Sequence, residues 1–201
     1  MPNASARREF DAAYYDRFYR NARTRAVSQA DTANLAAFVL AYMRRLDIPV
    51  RSALDVGCGL GFWRDALSQA IPGLNYTGVE TSAYLCQRFG WQQAPIDTFR
   101  SRRRYDLVIC QSVLQYVDDA AVSRGLANVA RLCRGVLYLE IVTAEDWAEN
   151  CDRQRTDGEI HRRPAAWYRR HIRRHFRSCG GGVYVPKDSD VVLYELEKGR
   201  D

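Results

Sequence analysis

The run Ala53-Leu54-Asp55-Val56-Gly57-Cys58-Gly59-Leu60-Gly61 constrains this chain more than any other stretch of it. Four residues suited to a short strand enter three glycines at alternate positions, and a helix-compatible stretch follows at 63–71. Glycines at such a turn adopt backbone angles closed to other residues and let a ligand approach the main chain. In an open parallel sheet, ligands bind beyond the carboxyl ends of the strands, at turns of this kind. The turn therefore predicts an α/β sheet with a ligand at 57–61. The acid in front of it, Asp55, suits a cationic group better than a phosphate.

The same alternation runs on. Short apolar segments at 76–80, 94–96, 105–111 and 136–142 read as strands, and YDLVICQ (105–111) is apolar enough to be buried on both faces. Between them lie a helix at 82–89 and one capped by Asp118 or Asp119, with Val122, Leu126, Val129 and Cys133 on its inner face and Gly135 at its end. An Arg-laden helix is expected at 165–176. The triple glycine 180–182 then leads to strands at 183–185 and 191–197, paired as an antiparallel hairpin. Ahead of this core, Asp31 is the expected cap of a helix whose stripe is Leu35, Phe38, Val39, Tyr42, Met43 and Leu46. The pattern is one domain, a parallel α/β sheet over 51–201 with an N-terminal helical segment, 1–50, packing on it as a lid.

Composition excludes several classes. With 47% hydrophobic and 27% charged residues the chain is neither a disordered tail nor a fibre. No stretch reaches the ~20 apolar residues of a membrane span, and the first ten residues lack the apolar centre of a secretory signal, so a soluble, cytoplasmic protein is expected. The net charge of +6 comes from 30 basic residues, all Arg except Lys187 and Lys198, and by itself argues for neither nucleic acid nor membrane. The six cysteines form no C-x-x-C pair and read as reduced thiols, with no metal site.

The ligand can be narrowed. Glu80 ends the second strand, nineteen residues after Gly61, where a carboxylate can accept both hydroxyls of a ribose. The dinucleotide fingerprint fits poorly, because its third small position falls on Phe62 or Arg64, and the phosphate loop G-x-x-x-x-G-K-[ST] is absent. With Glu80 in YTGVE, Asp97-Thr98 after the third strand and YDLVICQSVLQYVDD at 105–119, residues 53–61 resemble the motifs of the class I S-adenosylmethionine-dependent methyltransferases, in their order and spacing. The resemblance covers 52–143 well and 183–198 in outline.

That resemblance implies a Rossmann-like, doubly wound sheet of seven strands, mostly parallel with one antiparallel strand near the C-terminus and helices on both faces. It implies S-adenosylmethionine as cofactor, S-adenosylhomocysteine as product, and a small-molecule acceptor. The cofactor-binding residues it points to are Asp55, Gly57, Cys58, Gly59, Gly61, Trp63, Glu80, Thr81, Asp97, Thr98, Gln111 and Ser112, with Tyr15, Tyr19 and Arg25 from the N-terminal lid. Tyr116 stands where many relatives carry His and is a poorer base at neutral pH.

Methyl transfer needs alignment and the exclusion of water, and a base only where the nucleophile must lose a proton. His161 is the expected base, with Glu145 and Asp146 just past the fifth strand as rivals and Tyr116 contacting the substrate at the reacting end; Tyr14, Glu145 and Trp167 are the expected substrate contacts. Nine Arg between 153 and 177 point either to an anionic acceptor or to a solvated face. The [ND]-P-P-[YF] motif of amino-group methylation of adenine or glutamine is missing, its place taken by Cys110-Gln111-Ser112-Val113. A nucleic-acid-modifying enzyme is thus the weaker alternative, as is a non-catalytic cofactor-binding partner subunit. A monomer or homodimer is expected.

Overall fold

The computed structural model describes residues 10–195 and 197. Its centre is one seven-stranded sheet in the order β3-β2-β1-β4-β5-β7-β6. The strands are β1 (Ser52–Val56), β2 (Asn75–Glu80), β3 (Gln92–Gln93), β4 (Tyr105–Gln111), β5 (Cys133–Glu140), β6 (Phe176–Gly180) and β7 (Val183–Pro186). The first five run parallel, and β7 is antiparallel to both β5 and β6. The central strand β4 is buried at every residue from 105 to 110, as its unbroken apolar run requires.

Side chains leave successive strand positions on opposite faces, and two cores result. Leu54, Val56, Val108, Cys110, Leu137 and Leu139 meet helices α5 (Asp119–Leu132) and α7 (Ala165–Ile172) on one face. Ala53, Leu107, Ile109, Val136 and Tyr138 meet α2 (Gln29–Arg45) and α3 (Phe62–Ala70) on the other. The remaining helices are α1 (Ala12–Tyr15), α4 (Ala83–Phe89) and α6 (Ala144–Glu149). Among the described residues no helix is long and apolar enough to cross a membrane.

Four local expectations change. The cap of α2 is Ser28, which accepts from Asp31 N at 3.2 Å while the Asp31 carboxylate accepts from Ser28 N at 2.9 Å; Asp31 is the third helical residue of a capping box. Gly135 lies inside β5 and does not end α5: a Cβ there would stand 2.3 Å from Asp106 O, so the glycine permits the strands to close. The third strand comes at Gln92–Gln93, just before the expected segment.

The hairpin is also displaced. Gly180, Gly181 and Gly182 all have positive φ (83°, 58° and 77°) and form its turn, so Phe176–Gly180 is the partner strand and α7 stops at Ile172. The described residues from 191 onward form no strand.

Candidate functional site

The glycine turn folds back on β2, with Gly57 N and Cys58 N both donating to Val79 O at 2.7 and 3.2 Å. Each glycine of the turn faces something different. A Cβ on Gly57 would strike Val113 Cγ2 at 2.4 Å, and one on Gly61 would strike the Trp91 ring at 2.9 Å. One on Gly59 would meet only Gly57 O at 3.9 Å, so the turn is open to a ligand at that point. Trp91 holds it from beneath, its indole donating to Gly59 O at 2.9 Å.

Glu80 closes the turn from the side. Its Oε2 accepts from Gly59 N at 3.0 Å, and its Oε1 from Thr81 N at 2.6 Å and Ser82 N at 3.0 Å. Three main-chain donors thus fix a carboxylate that is only 5% exposed, and charge-assisted bonds of this kind are the strong ones.

Beside this carboxylate lies a cavity of about 560 Å³. Gly57, Gly59, Glu80 and Thr81 form one wall, and Gln111, Ser112 and Tyr116 another. Tyr14, Tyr15 and Tyr19 roof it from α1 and the π-helical turn that follows it. Their rings pack edge-on and tilted at centroid distances of 5.1 to 6.2 Å, and Tyr15 stacks on Tyr84 at 6.4 Å. Burial holds the hydroxyls of Tyr15, Tyr19 and Tyr116 well above the ordinary phenol range, so they stay protonated.

The wall at Gln111 is built in depth. Trp63 Nε1 donates to Gln111 Oε1 at 2.8 Å, and Gln111 Nε2 donates to the Glu140 carboxylate at 3.2 Å. Ser112, a non-glycine residue at φ 56°, is held by its N–H to Glu140 O at 2.9 Å.

Ten of the residues expected from sequence therefore come together at the cavity: Tyr14, Tyr15, Tyr19, Gly57, Gly59, Glu80, Thr81, Gln111, Ser112 and Tyr116. Ten others do not line it. Asp55 points to the opposite face of β1, where it is 2% exposed and accepts from the Tyr76 hydroxyl at 2.6 Å; burial, with the charge of Glu80 added, pushes its carboxyl up to about 7. Cys58 is buried beneath the turn, Gly61 caps α3, and Trp63 acts only through Gln111.

Asp97 turns outward to pair with Arg124 at 2.8 Å, and Thr98 is exposed beside it. The wall position expected for them is taken by Gln93, Ala94, Pro95 and Ile96, because β3 ends earlier than the sequence pattern indicates. Arg25 is exposed on another surface, at a shallow groove with Ser28 and Asp65.

His161 is exposed, its main chain donating to Gln115 O at 2.8 Å; Glu145 caps the start of α7 through Ala165 N at 2.9 Å. Trp167 packs on His171, ring centroids 4.0 Å apart. The Arg-rich segment likewise puts no arginine in the cavity wall. Its buried member, Arg163, bonds Leu114 O, Val117 O, Asp119 and the Tyr168 hydroxyl, and so serves the fold.

Sequence reasoning passed over Phe10, Ser82, Tyr84, Val113 and Val117, which also line the cavity. Ser82 had a readable signal, since it caps α4 two residues after the acid Glu80.

The fold and this site can be set beside known proteins. The chain is similar to the sugar N-methyltransferase KedS8 from a Streptoalloteichus species, at 26% identity over 68% of this chain and 55% of that one, with a TM-score of 0.50. An S-adenosylmethionine-dependent methyltransferase from Clostridium acetobutylicum shares the fold along most of both chains, covering 93% and 94% at 14% identity and a TM-score of 0.59. A magnesium protoporphyrin IX methyltransferase from Synechocystis, solved with S-adenosylhomocysteine bound, covers 74% of this chain and 72% of its own at 20% identity and a TM-score of 0.51. The chain spans about half the length of three of the matched structures, 49%, 51% and 55%. No curated protein sequence matches it. Residues 12–180 match the model of the methyltransferase domain family, and the chain belongs to that family, the class I methyltransferases that use S-adenosylmethionine.

Proposed function

We propose that this chain transfers the methyl group of S-adenosylmethionine to a small molecule admitted beneath the tyrosine roof. The observation that carries the reading is Glu80, a buried carboxylate aimed by three main-chain N–H groups along the wall of a cavity of about 560 Å³. The residues present fit the cofactor. Glu80 would accept the ribose hydroxyls, the turn at Gly59 leaves room for the chain of the ligand, and Ile96 with Val113 gives apolar walls for a base.

When bound, the cofactor supplies an electrophilic methyl carbon, and the protein's share is alignment and a dry site. Tyr14, Tyr15 and Tyr19 exclude water from above, and Gln111, braced by Trp63 and Glu140, sets the wall opposite Glu80. The acceptor proposed is uncharged. Among the described residues the wall carries Asp11 and Glu80 and no Arg, Lys or His, so the Arg-rich segment lends no support to an anion there.

Calorimetric titration with S-adenosylmethionine, S-adenosylhomocysteine and NAD tests the reading. Micromolar binding of the two sulfur ligands, abolished in Glu80→Ala, is the expected result. Binding of NAD alone, or equal affinity in the variant, would refute it.

A further inference from the structure

The tyrosine roof owes its shape to one unusual turn. Residues 16–20 are π-helical, and Asn21 N donates to Asp16 O, five residues back, at 2.9 Å. Five residues overshoot a turn of α-helix by about 140°. The wider turn instead returns Tyr19 to the side of Tyr14, and both rings line the cavity with centroids 6.2 Å apart. Single π turns of this kind occur mostly at functional sites. The turn ends in Arg20, which is exposed and outside the cavity wall.

The roof segment is fastened to the body of the protein at its start, middle and end. Ser82 Oγ donates to Phe10 O at 2.5 Å, the hydroxyls of Tyr14 and Tyr116 lie 3.2 Å apart, and Arg20 Nη2 donates to the Tyr84 hydroxyl at 3.1 Å. The first two contacts are partly buried and the third is exposed to water, so the third is where local opening begins. Asp16 aims the guanidinium, accepting from Arg20 Nη1 at 2.6 Å. Tyr84 lines the cavity on α4 with its ring stacked on Tyr15, 6.4 Å between centroids. Its hydroxyl also accepts from Arg88 Nη1 at 3.1 Å, but Arg88 and Tyr84 share α4 and that bond ties nothing to the roof. The Arg20 guanidinium, with Arg88 beside it, holds the Tyr84 hydroxyl below the ordinary phenol range. Beyond Arg20, residues 21–28 form neither helix nor strand, which gives this end of the roof slack before α2.

We propose that Arg20 and Tyr84 form a latch that sets how fast S-adenosylmethionine enters the cavity and S-adenosylhomocysteine leaves it, the roof lifting first at its Arg20 end. The proposal rests on the methyltransferase reading above. Because Arg20 does not line the cavity, breaking its bond to Tyr84 frees the roof and leaves the ligand's own contacts in place. The latch is weakened alike in free and bound protein, so entry and exit quicken together and affinity stays nearly constant.

Dissociation of tritiated S-adenosylhomocysteine, chased with unlabelled ligand, measures the exit rate, and calorimetry measures Kd. Arg20→Gln is expected to speed exit about tenfold with Kd within about threefold of wild type, so that the entry rate rises as well. Tyr84→Phe keeps the ring beneath Tyr15 and should speed exit about fivefold. The double variant should be no faster than Arg20→Gln alone, because both changes break one bond. Arg88→Gln should leave the exit rate at its wild-type value. An unchanged exit rate in Arg20→Gln, multiplied effects in the double variant, equal acceleration by Arg88→Gln, or a Kd that rises in step with the exit rate overturns the proposal while the methyltransferase reading stands. Wild-type protein that binds no S-adenosylhomocysteine overturns that reading and the latch with it.

Discussion

Replacing Trp91 by Phe isolates what holds the glycine turn in shape. The change removes the indole N–H that bonds Gly59 O at 2.9 Å and the outer ring atoms that stand against Gly61. It keeps an aromatic ring on Gly78 and beside Phe89. The lost bond leaves a partly buried carbonyl without its protein donor, a cost of about 1 kcal/mol, and the missing ring atoms add roughly 1–2 kcal/mol. A total near 2–3 kcal/mol corresponds to a fall of about 5–10 °C in melting temperature for a chain of this size.

The informative quantity is the affinity for S-adenosylhomocysteine. If Trp91 holds Gly59 in the bound conformation, the ligand must itself order the turn in the variant, and an ordering cost of about 1.4 kcal/mol appears as a tenfold weaker Kd. Calorimetry on the folded variant at 15 °C separates this from global stability. A lowered melting temperature with an unchanged Kd would refute the reasoning, because the turn would then be holding its shape without the indole.

Two further expectations concern stability. Leu126, 1% exposed on the inner face of α5, should cost about 2–5 kcal/mol as Leu126→Ala in urea unfolding, with cofactor affinity retained by the protein that stays folded. Asp55 should make stability fall as pH rises. Between its ordinary value of 3.8 and its native value of about 7 the folded chain keeps a proton that the unfolded chain has released. Asp55→Asn, which still offers an oxygen to the Tyr76 hydroxyl, should therefore flatten the melting-temperature profile across pH 4–7 and be the more stable protein above it; a parallel profile in wild type and variant would count against a protonated Asp55.

What could be read from the residues follows the range over which each signal acts. The turn at 57–61 and Glu80 were legible because a strand, its glycines and the acid of the next strand are ordered by local spacing, and parallel pairing of β1 with β2 brings Gly59 and Glu80 within 3.0 Å without further information. Asp55 lies off the cavity for a reason of period two. Leu54 and Val56 face α5 and Asp55 faces Tyr76, so the acid two residues before the first glycine points away from the cavity beside it. Asp97 lies off the wall through a short slip in β3, a strand of two residues whose ends no hydrophobic pattern can mark. His161 and Trp167 stand outside the wall for a different reason. Their segment is rich in side chains that could do chemistry, yet its arginines and histidines are spent on carbonyls, aromatic faces and solvent. The part of the cavity wall written in one βαβ unit is therefore recoverable from spacing, whereas the wall around Tyr116 is assembled from distant segments and becomes visible only when the hydroxyls of Tyr14 and Tyr116 are seen to meet.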